Sequence, residues 1–207
     1  MKINVPNLVI WDTSAIFAEI IDNMERIRRA TSADAEFIAK MVIMALHIEK
    51  EGEEGERFLR HITELVMDEK SLYHWSRAVM IDGIGACVAY DGVDYHPRRV
   101  RSFSFVCSDG RPIMEDNSAL LAQPDETQAG EYYIDSLAIM PEYRGKGYGS
   151  LFLQHAVKEG TAMGLTPSLL VDPTNTGAVR LYNSLGFEGE STMFVFGADF
   201  VKMKYVG

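Results

Sequence analysis

Apolar residues in the second half of the chain follow two alternating periods, which predict strands and helices in turn. Residues 132–140 are uncharged except for Asp135, and Pro141 ends the run, which is typical of a buried strand. Apolar side chains three and four positions apart follow and indicate helices. The predicted elements are a strand at 132–140, a helix that ends at Gly164, a strand at 168–171, a helix at 176–185 that Gly186 terminates, and a strand over 201–205.

The first half predicts helices between a short strand and a β-hairpin. Apolar residues over 13–25 lie on one face of a short amphipathic helix. A strand is predicted next at 26–30, followed by a helix that Thr31 or Ser32 caps; its core face carries Phe37, Ile38, Met41, Val42 and Ala45. After breaks at Gly52 and Gly55, a second helix is predicted from the apolar positions Phe58, Leu59, Ile62, Leu65 and Val66. Residues 75–81 and 84–90 then form a predicted β-hairpin around Asp82 and Gly83.

Residues 93–130 give no single prediction, because Val100 to Val106 suits either a strand or a helix. The order of the other elements indicates an α/β fold built on one mixed sheet. We expect residues 1–25 to be an N-terminal helical extension and residues 26–207 to form one domain.

Composition and charge exclude several classes of protein. The 207 residues are 47% hydrophobic and 24% charged, which excludes a disordered tail and a disulfide scaffold. With 20 Lys and Arg against 30 Asp and Glu, the chain lacks the positive charge that non-specific nucleic-acid binding requires. The longest uncharged stretch, 160–171, is far shorter than the roughly 20 residues of a membrane span. The N-terminus does not resemble a signal peptide, so a cytoplasmic location is expected.

Cysteine and histidine positions predict neither a disulfide framework nor a metal site. Cys87 and Cys107 form no C-x-x-C pair, and the five histidines have no mutual spacing suited to a metal ion. We therefore expect two free, buried thiols and no metal.

The segment from Tyr143 to Gly149 has the composition of a phosphate-binding loop. Three alternate glycines allow a tight turn between strand and helix, so that N–H groups at the helix N-terminus point at one anion. The spacing differs from that of the Walker loop and from the G-x-G-x-x-G of dinucleotide-binding folds. Only 36 residues follow Val171, too few for the second half of a doubly wound sheet.

Residues 134–149 resemble the acetyl-CoA motif of the GNAT superfamily of N-acetyltransferases. Arg144, Gly147 and Gly149 fill its core, R/Q-x-x-G-x-G/A. A second family pattern, N-x-x-A-x-x-x-Y-x-x-x-G-F, is matched by Asn175, Ala178, Tyr182, Gly186 and Phe187. The resemblance extends over residues 26–207 by layout and is firm from 131 to 187.

This resemblance implies a single mixed, mostly antiparallel central sheet with flanking helices. It further implies that the strand with Leu137, Ala138 and Ile139 splays from its parallel neighbour around Leu169 and Leu170, and that the gap holds the pantetheine arm of acetyl-CoA. Asn175 would line the same arm, or cap the 176–185 helix, or do both. The residues implied for the pyrophosphate are Arg144, Gly145, Lys146, Gly147, Tyr148 and Gly149.

The resemblance also assigns Tyr182 as proton donor to the coenzyme thiolate, a residue that would otherwise be explained as a core tyrosine. A backbone N–H near Ala138 or Ile139 would stabilise the oxyanion. For the general base, strand alternation places Glu131, Tyr133 and Asp135 on one face. Tyr133 occupies the position where some family members have glutamate, so Asp135 is the first candidate.

Glu131 and Glu126 remain alternatives for the base, and a structural role for Asp135 stays open. The predicted activity is acetyl transfer from acetyl-CoA to a primary amine, either a small molecule or a peptide. Direct attack in a ternary complex is the mechanism that we expect. A non-catalytic acyl-CoA-binding module is the alternative. The apolar stripe at 13–24 would pack on the domain or on a second subunit, so a homodimer is possible.

Overall fold

The computed structural model describes residues 26–207, and the helix predicted over 13–25 lies outside them. The elements in chain order are β1 (Arg28–Arg29), α1 (Ala35–Ala45), α2 (Gly52–Met67), β2 (Ala78–Ile81), β3 (Gly85–Asp91), α3 (Tyr95–Phe103), α4 (Ser118–Leu121), β4 (Glu131–Ile139), α5 (Tyr148–Ala162), β5 (Thr166–Val171), α6 (Thr176–Ser184), β6 (Phe187–Val195) and β7 (Ala198–Tyr205).

The described strands form one sheet in the order β1-β2-β3-β4-β5-β7-β6. Neighbouring strands are antiparallel, apart from β4 and β5, which run parallel. The predicted fold, a mixed and mostly antiparallel sheet with flanking helices, is therefore confirmed. β7 comes last in chain order among these strands, yet it lies inside the sheet between β5 and β6.

Apolar side chains are buried on both faces of the sheet. Ile38 of α1 packs in one cluster with Tyr133 of β4, and Phe152 of α5 packs in the other with Ile134. Successive residues of β4 thus contribute to opposite cores, as strand geometry requires. Gly160 allows α5 to approach β4 closely, because a Cβ at that position would lie 2.7 Å from the Cβ of Tyr132.

Two predicted boundaries in the first half are wrong. Gly52, with a φ of 58°, does mark the break before α2, but Gly55 lies in the first turn of that helix, where Glu53 and Glu54 interact favourably with the positive end of the helix dipole. The first strand of the hairpin starts at Ala78, because residues 75–77 form a 3₁₀ turn.

The segment without a single prediction contains the polar helix α3. The Arg99 side chain of α3 is buried, and its guanidinium donates to the main-chain oxygens of Gln123 and Pro124 at 2.8 and 3.2 Å. This pairing holds the loop before β4 against α3. Within residues 26–207, no helix combines the length and the hydropathy needed to cross a membrane.

Candidate active site

The parallel strands β4 and β5 separate soon after they meet. Their register joins residues 131–133 to residues 166–168. β4 then continues to Ile139, while the rest of β5 pairs with β7 on its other side. Over 134–139, main-chain groups of β4 on the β5 side thus have no ladder partner in β5. The separation predicted near Leu137, Ala138 and Ile139 is present.

The glycine-rich segment leads directly into α5. Gly145 and Gly147 have φ angles of 73° and 87°, which side-chain-bearing residues rarely adopt. A Cβ at either position would meet no atom within 4 Å, so glycine is required there by the backbone angle and not by a lack of space. Gly147 is the N-cap of α5, and its carbonyl accepts a hydrogen bond from Leu151 N at 3.2 Å. An exposed helix N-terminus with its first N–H groups available therefore follows the end of β4.

The two basic residues of this loop contact neighbouring groups. Arg144 Nε donates to the carbonyl of Ile139 at 3.0 Å, which ties the loop to the last residue of β4. Lys146 Nζ lies 5.3 Å from the ring centroid of Tyr143. The ring of Tyr143 meets that of Tyr148 edge-on at 6.2 Å. Both cations stay exposed beside the start of α5, where they add to its positive potential.

The two predicted site residues of the downstream pattern lie at helix α6, Asn175 as its N-cap and Tyr182 within it. The side-chain oxygen of Asn175 accepts from Ala178 N at 3.1 Å, so Asn175 caps α6 in the manner that the sequence allowed. Tyr182 is half-buried, with its ring 6.2 Å from that of Phe187. Burial, reinforced by the nearby Cys87 thiol, raises the pKa of Tyr182 to about 12. Cys87 lies opposite Leu137 in the β3–β4 ladder, so Tyr182 is close to the middle of β4.

Asp135 occupies a β-bulge in the strand. The β3–β4 register passes from Ile134 to Ser136 at this point, so Asp135 stands outside the regular pairing. The Tyr90 hydroxyl donates to one carboxyl oxygen, and Ser136 Oγ donates to the other at 2.9 Å. Burial, together with the like charge of Glu126, raises the pKa of Asp135 to about 7 despite these two hydrogen bonds. A partly exposed carboxyl that exchanges its proton near neutral pH is suited to general base catalysis.

Glu126 is the centre of a buried tyrosine cluster next to Asp135. The hydroxyls of Tyr95 and Tyr133 donate to its two carboxyl oxygens, each at 2.6 Å. The Tyr90 ring lies 6.0 Å from that of Tyr133, which joins the two carboxyl groups through one aromatic layer. Sequence reasoning missed Tyr90 and Tyr95, since they come from β3 and α3. The sequence signal that could have pointed to Tyr90 is its position in a predicted hairpin strand.

Glu131 lies at the other end of β4 and is paired with lysines of β7. Lys202 Nζ donates to Glu131 at 2.6 Å, and Lys204 Nζ lies 3.1 Å from its second oxygen. Burial alone would raise the pKa of Glu131, but hydrogen bonds from Lys202, Thr127 and Lys204 outweigh burial and lower it. These groups line a cavity of about 480 Å³. Glu131 is thus a charged partner of lysines rather than a group ready to accept a proton.

The structure brings most of the predicted residues together around the C-terminal half of β4. Asp135, Leu137, Ala138 and Ile139 lie on the strand itself, and the glycine loop is bonded to its end. Tyr182 packs against the same apolar cluster as Leu137 and Ile139. Asn175 is placed at the start of α6 as a cap, and Glu131 stands apart in its ion pairs.

Comparison with known proteins gives one family and a set of similar structures. Residues 94–187 match the acetyltransferase (GNAT) family. The chain is similar to a crystal structure of an acetyltransferase, with 26% identity, a TM-score of 0.65 and coverage of 86% of this chain and 97% of that one. No match of significance is found among curated protein sequences.

Two further structures share the fold at lower identity. An N-acetyltransferase from Staphylococcus aureus Mu50 has 20% identity and a TM-score of 0.68, with 86% of this chain and 98% of that chain covered. Arabidopsis thaliana Naa50 in complex with the bisubstrate analogue CoA-Ac-MVNAL has 14% identity and a TM-score of 0.50, with 87% and 97% covered.

Proposed function

Because residues 94–187 form a domain of the acetyltransferase (GNAT) family within a GNAT fold, we propose that the protein is an N-acetyltransferase. It would transfer the acetyl group of acetyl-CoA to a primary amine by direct attack in a ternary complex. In this proposal residues 26–207 form the catalytic domain. The observation that carries it is the exposed N-terminus of α5, behind two positive-φ glycines, next to the stretch of β4 that has parted from β5.

Coenzyme binding follows from these two features. Main-chain groups of Leu137, Ala138 and Ile139 would pair with the amides of the pantetheine arm, as a neighbouring strand would. The first N–H groups of α5, with Arg144 and Lys146, would bind the pyrophosphate. The Naa50 structure supports this proposal, because it holds a CoA bisubstrate analogue in a related fold.

Asp135 is the proposed general base. An alkylammonium group has a pKa of about 10.4, so proton transfer to an ordinary aspartate is unfavourable by more than 6 pKa units. With the Asp135 pKa at about 7, the difference falls to roughly 3 units, which a bridging water can accommodate. Asp135 faces the tyrosine cluster, whereas the glycine loop precedes α5 of the opposite core. The amine and the coenzyme would therefore approach β4 from opposite faces.

Tyr182 is the proposed hydrogen-bond donor to the departing thiolate. Its pKa of about 12 exceeds the roughly 8.5 of a thiol, so complete proton transfer is unfavourable by about 5 kcal/mol. A donor that keeps most of its proton still stabilises a thiolate through a charge-assisted hydrogen bond. Glu126 and Glu131 would act indirectly. The charge of Glu126 would raise the pKa of Asp135, and Glu131 would hold β4 to β7 through its lysine partners.

The test separates coenzyme binding from turnover. Acetyl-CoA at about a hundred times its dissociation constant should stabilise the protein by ~2.7 kcal/mol, measured as a rise in melting temperature. A panel of small amines and peptide N-termini should then show one acceptor class that releases CoA thiol. Binding without thiol release for any amine would favour the acyl-CoA-binding module. Unchanged melting with acetyl-CoA and with CoA would exclude both functions.

A further inference from the structure

A cluster of three metal-ligating side chains contains none of the residues of the proposed acetyl-transfer site. His61 of α2 faces a tight turn at residues 107–111, here called the Cys107 turn. Its Nε2 atom is 2.9 Å from the Asp109 carboxylate. One ligand atom from each of His61, Cys107 and Asp109 lies within 4.8 Å of the other two.

The Cys107 turn holds its two ligands on one side by main-chain hydrogen bonds. Cys107 N donates to the Arg111 carbonyl at 2.8 Å, and Gly110 N donates to the Cys107 carbonyl at 2.9 Å. Gly110 has a φ of 80°, which the turn requires of a glycine. Asp109 is oriented as well, since its second carboxyl oxygen accepts from Arg111 N at 3.0 Å.

A second pair of bonds fixes the turn to α2. Ser108, which stands between the two ligands, donates from its N and Oγ to the two carboxyl oxygens of Glu64 at 2.6 and 2.7 Å. Glu64 follows His61 by three residues, so both lie on the same face of α2. These bonds therefore hold the Cys107 turn, and with it Cys107 and Asp109, against α2 beside His61.

We propose that His61, Cys107 and Asp109 bind a zinc ion, with a water molecule as the fourth ligand. An imidazole, a thiolate and a carboxylate together suit Zn²⁺, whereas Mg²⁺ and Ca²⁺ prefer oxygen ligands alone. Zinc bond lengths of about 2.0–2.3 Å place neighbouring ligand atoms roughly 3.5 Å apart. The His61–Asp109 distance of 2.9 Å would increase by about half an ångström, and Cys107, within 4.8 Å of the other two ligand atoms, would move closer by at most about 1.3 Å, within the reach of side-chain rotation.

The surroundings of the cluster give water access to such an ion, and the ligands balance its charge. A cavity of about 520 Å³ is lined by His61 and Arg111, though not by Cys107 or Asp109, so a water molecule can approach the cluster from the His61 side. Lys50 and Arg57 also line this cavity. Arg111 Nε lies 3.9 Å from the Asp109 carboxylate, but one thiolate and one carboxylate neutralise the two charges of zinc. No metal site is predicted from the sequence, because His61 and Cys107 lie 46 positions apart.

The experiment uses Co²⁺ as a spectroscopic probe on chelator-treated full-length protein, followed by Zn²⁺ competition. We expect one Co²⁺ per chain with a sulfur-to-cobalt charge-transfer band and tetrahedral d–d bands, and Zn²⁺ should displace it. Cys107→Ser should abolish the charge-transfer band, whereas Cys87→Ser, which alters the other buried cysteine, should retain it. Asp109→Asn should weaken binding by at least about tenfold.

Asp109 keeps the test independent of folding, because its side chain is 41% exposed and its replacement leaves the core intact. A parent protein without the charge-transfer band would overturn the proposal. The same holds if the band survives in Cys107→Ser, or if Asp109→Asn binds Co²⁺ as tightly as the parent.

Discussion

Replacing Asp135 by Asn should stabilise the protein at neutral pH while it removes acetyl transfer. The half-buried carboxyl group lies near the like charge of Glu126, and its ionised form is disfavoured in the folded state. A carboxamide keeps the shape, accepts from Tyr90 and can donate to Ser136, yet carries no charge. Activity and stability should therefore change in opposite directions, as expected of a site strained for function.

The magnitude follows from proton linkage. Between the ordinary pKa of 3.8 and the folded pKa of about 7, the folded state binds a proton that the unfolded state has lost. The free energy of unfolding therefore falls as pH rises through this window, by about 1.4 kcal/mol per pH unit. Integrated over the window, the loss is roughly 4 kcal/mol. Asp135→Asn removes this loss, so its advantage over the parent should be near zero below pH 4 and reach about 2–4 kcal/mol above pH 7.

Urea unfolding of both proteins from pH 4 to pH 8 measures this difference. Glu131→Gln is the matched control with the opposite sign, because Lys202 and Lys204 lower the pKa of Glu131 and its ionised form stabilises the fold. That variant should be less stable than the parent at pH 8, and the deficit should begin to shrink only as the pH falls below the ordinary pKa of 4.5 towards the lowered pKa of the folded state. Parallel pH profiles for the parent and Asp135→Asn would refute the reasoning about Asp135.

Three further changes test the site. Glu126→Gln removes the like charge near Asp135, so the acidic limb of kcat/KM against pH should move to lower pH; an unmoved limb would show that Glu126 does not act on the base. Tyr182→Phe should lower kcat by about a hundredfold with coenzyme affinity and melting unchanged, and a parent-like kcat would make Tyr182 a packing residue. Gly147→Ala, at a φ of 87°, should cost about 1–2 kcal/mol of stability and weaken CoA binding in titration calorimetry. Gly149→Ala is its control for stability, because a Cβ there meets Leu181 at an ordinary 3.5 Å, and equal losses of stability in the two variants would contradict the backbone argument.

Local sequence patterns were enough to predict much of the fold. The strand at 132–140 and the glycine loop are properties of consecutive residues, so their periods and turn chemistry were visible in the sequence. The helix α3 was ambiguous because it is polar and depends on the buried Arg99, whose carbonyl partners lie more than 20 residues away.

The candidate site depends more on distant pairs. The bulge at Asp135 arises from its register with β3, which no local pattern records. The Glu131–Lys202 ion pair joins residues 71 positions apart, so the sequence could not show that this carboxylate was already neutralised. Gly55 also misled the prediction, since a Cβ there would lie 2.5 Å from the Lys50 carbonyl, where the chain before α2 closely approaches its first turn.

The interior position of β7 has a consequence for synthesis of the chain. β5 has no partner on its outer edge until β7 arrives, and β7 also supplies Lys202 to Glu131. At about 5–20 residues per second, the 34 residues from Val171 to Tyr205 take roughly 2–7 s to make. During this interval the nascent chain has an open strand edge, and edges of this kind pair readily with other chains. The edge of β5 is thus where a slowed ribosome would expose this protein to chaperones or to aggregation.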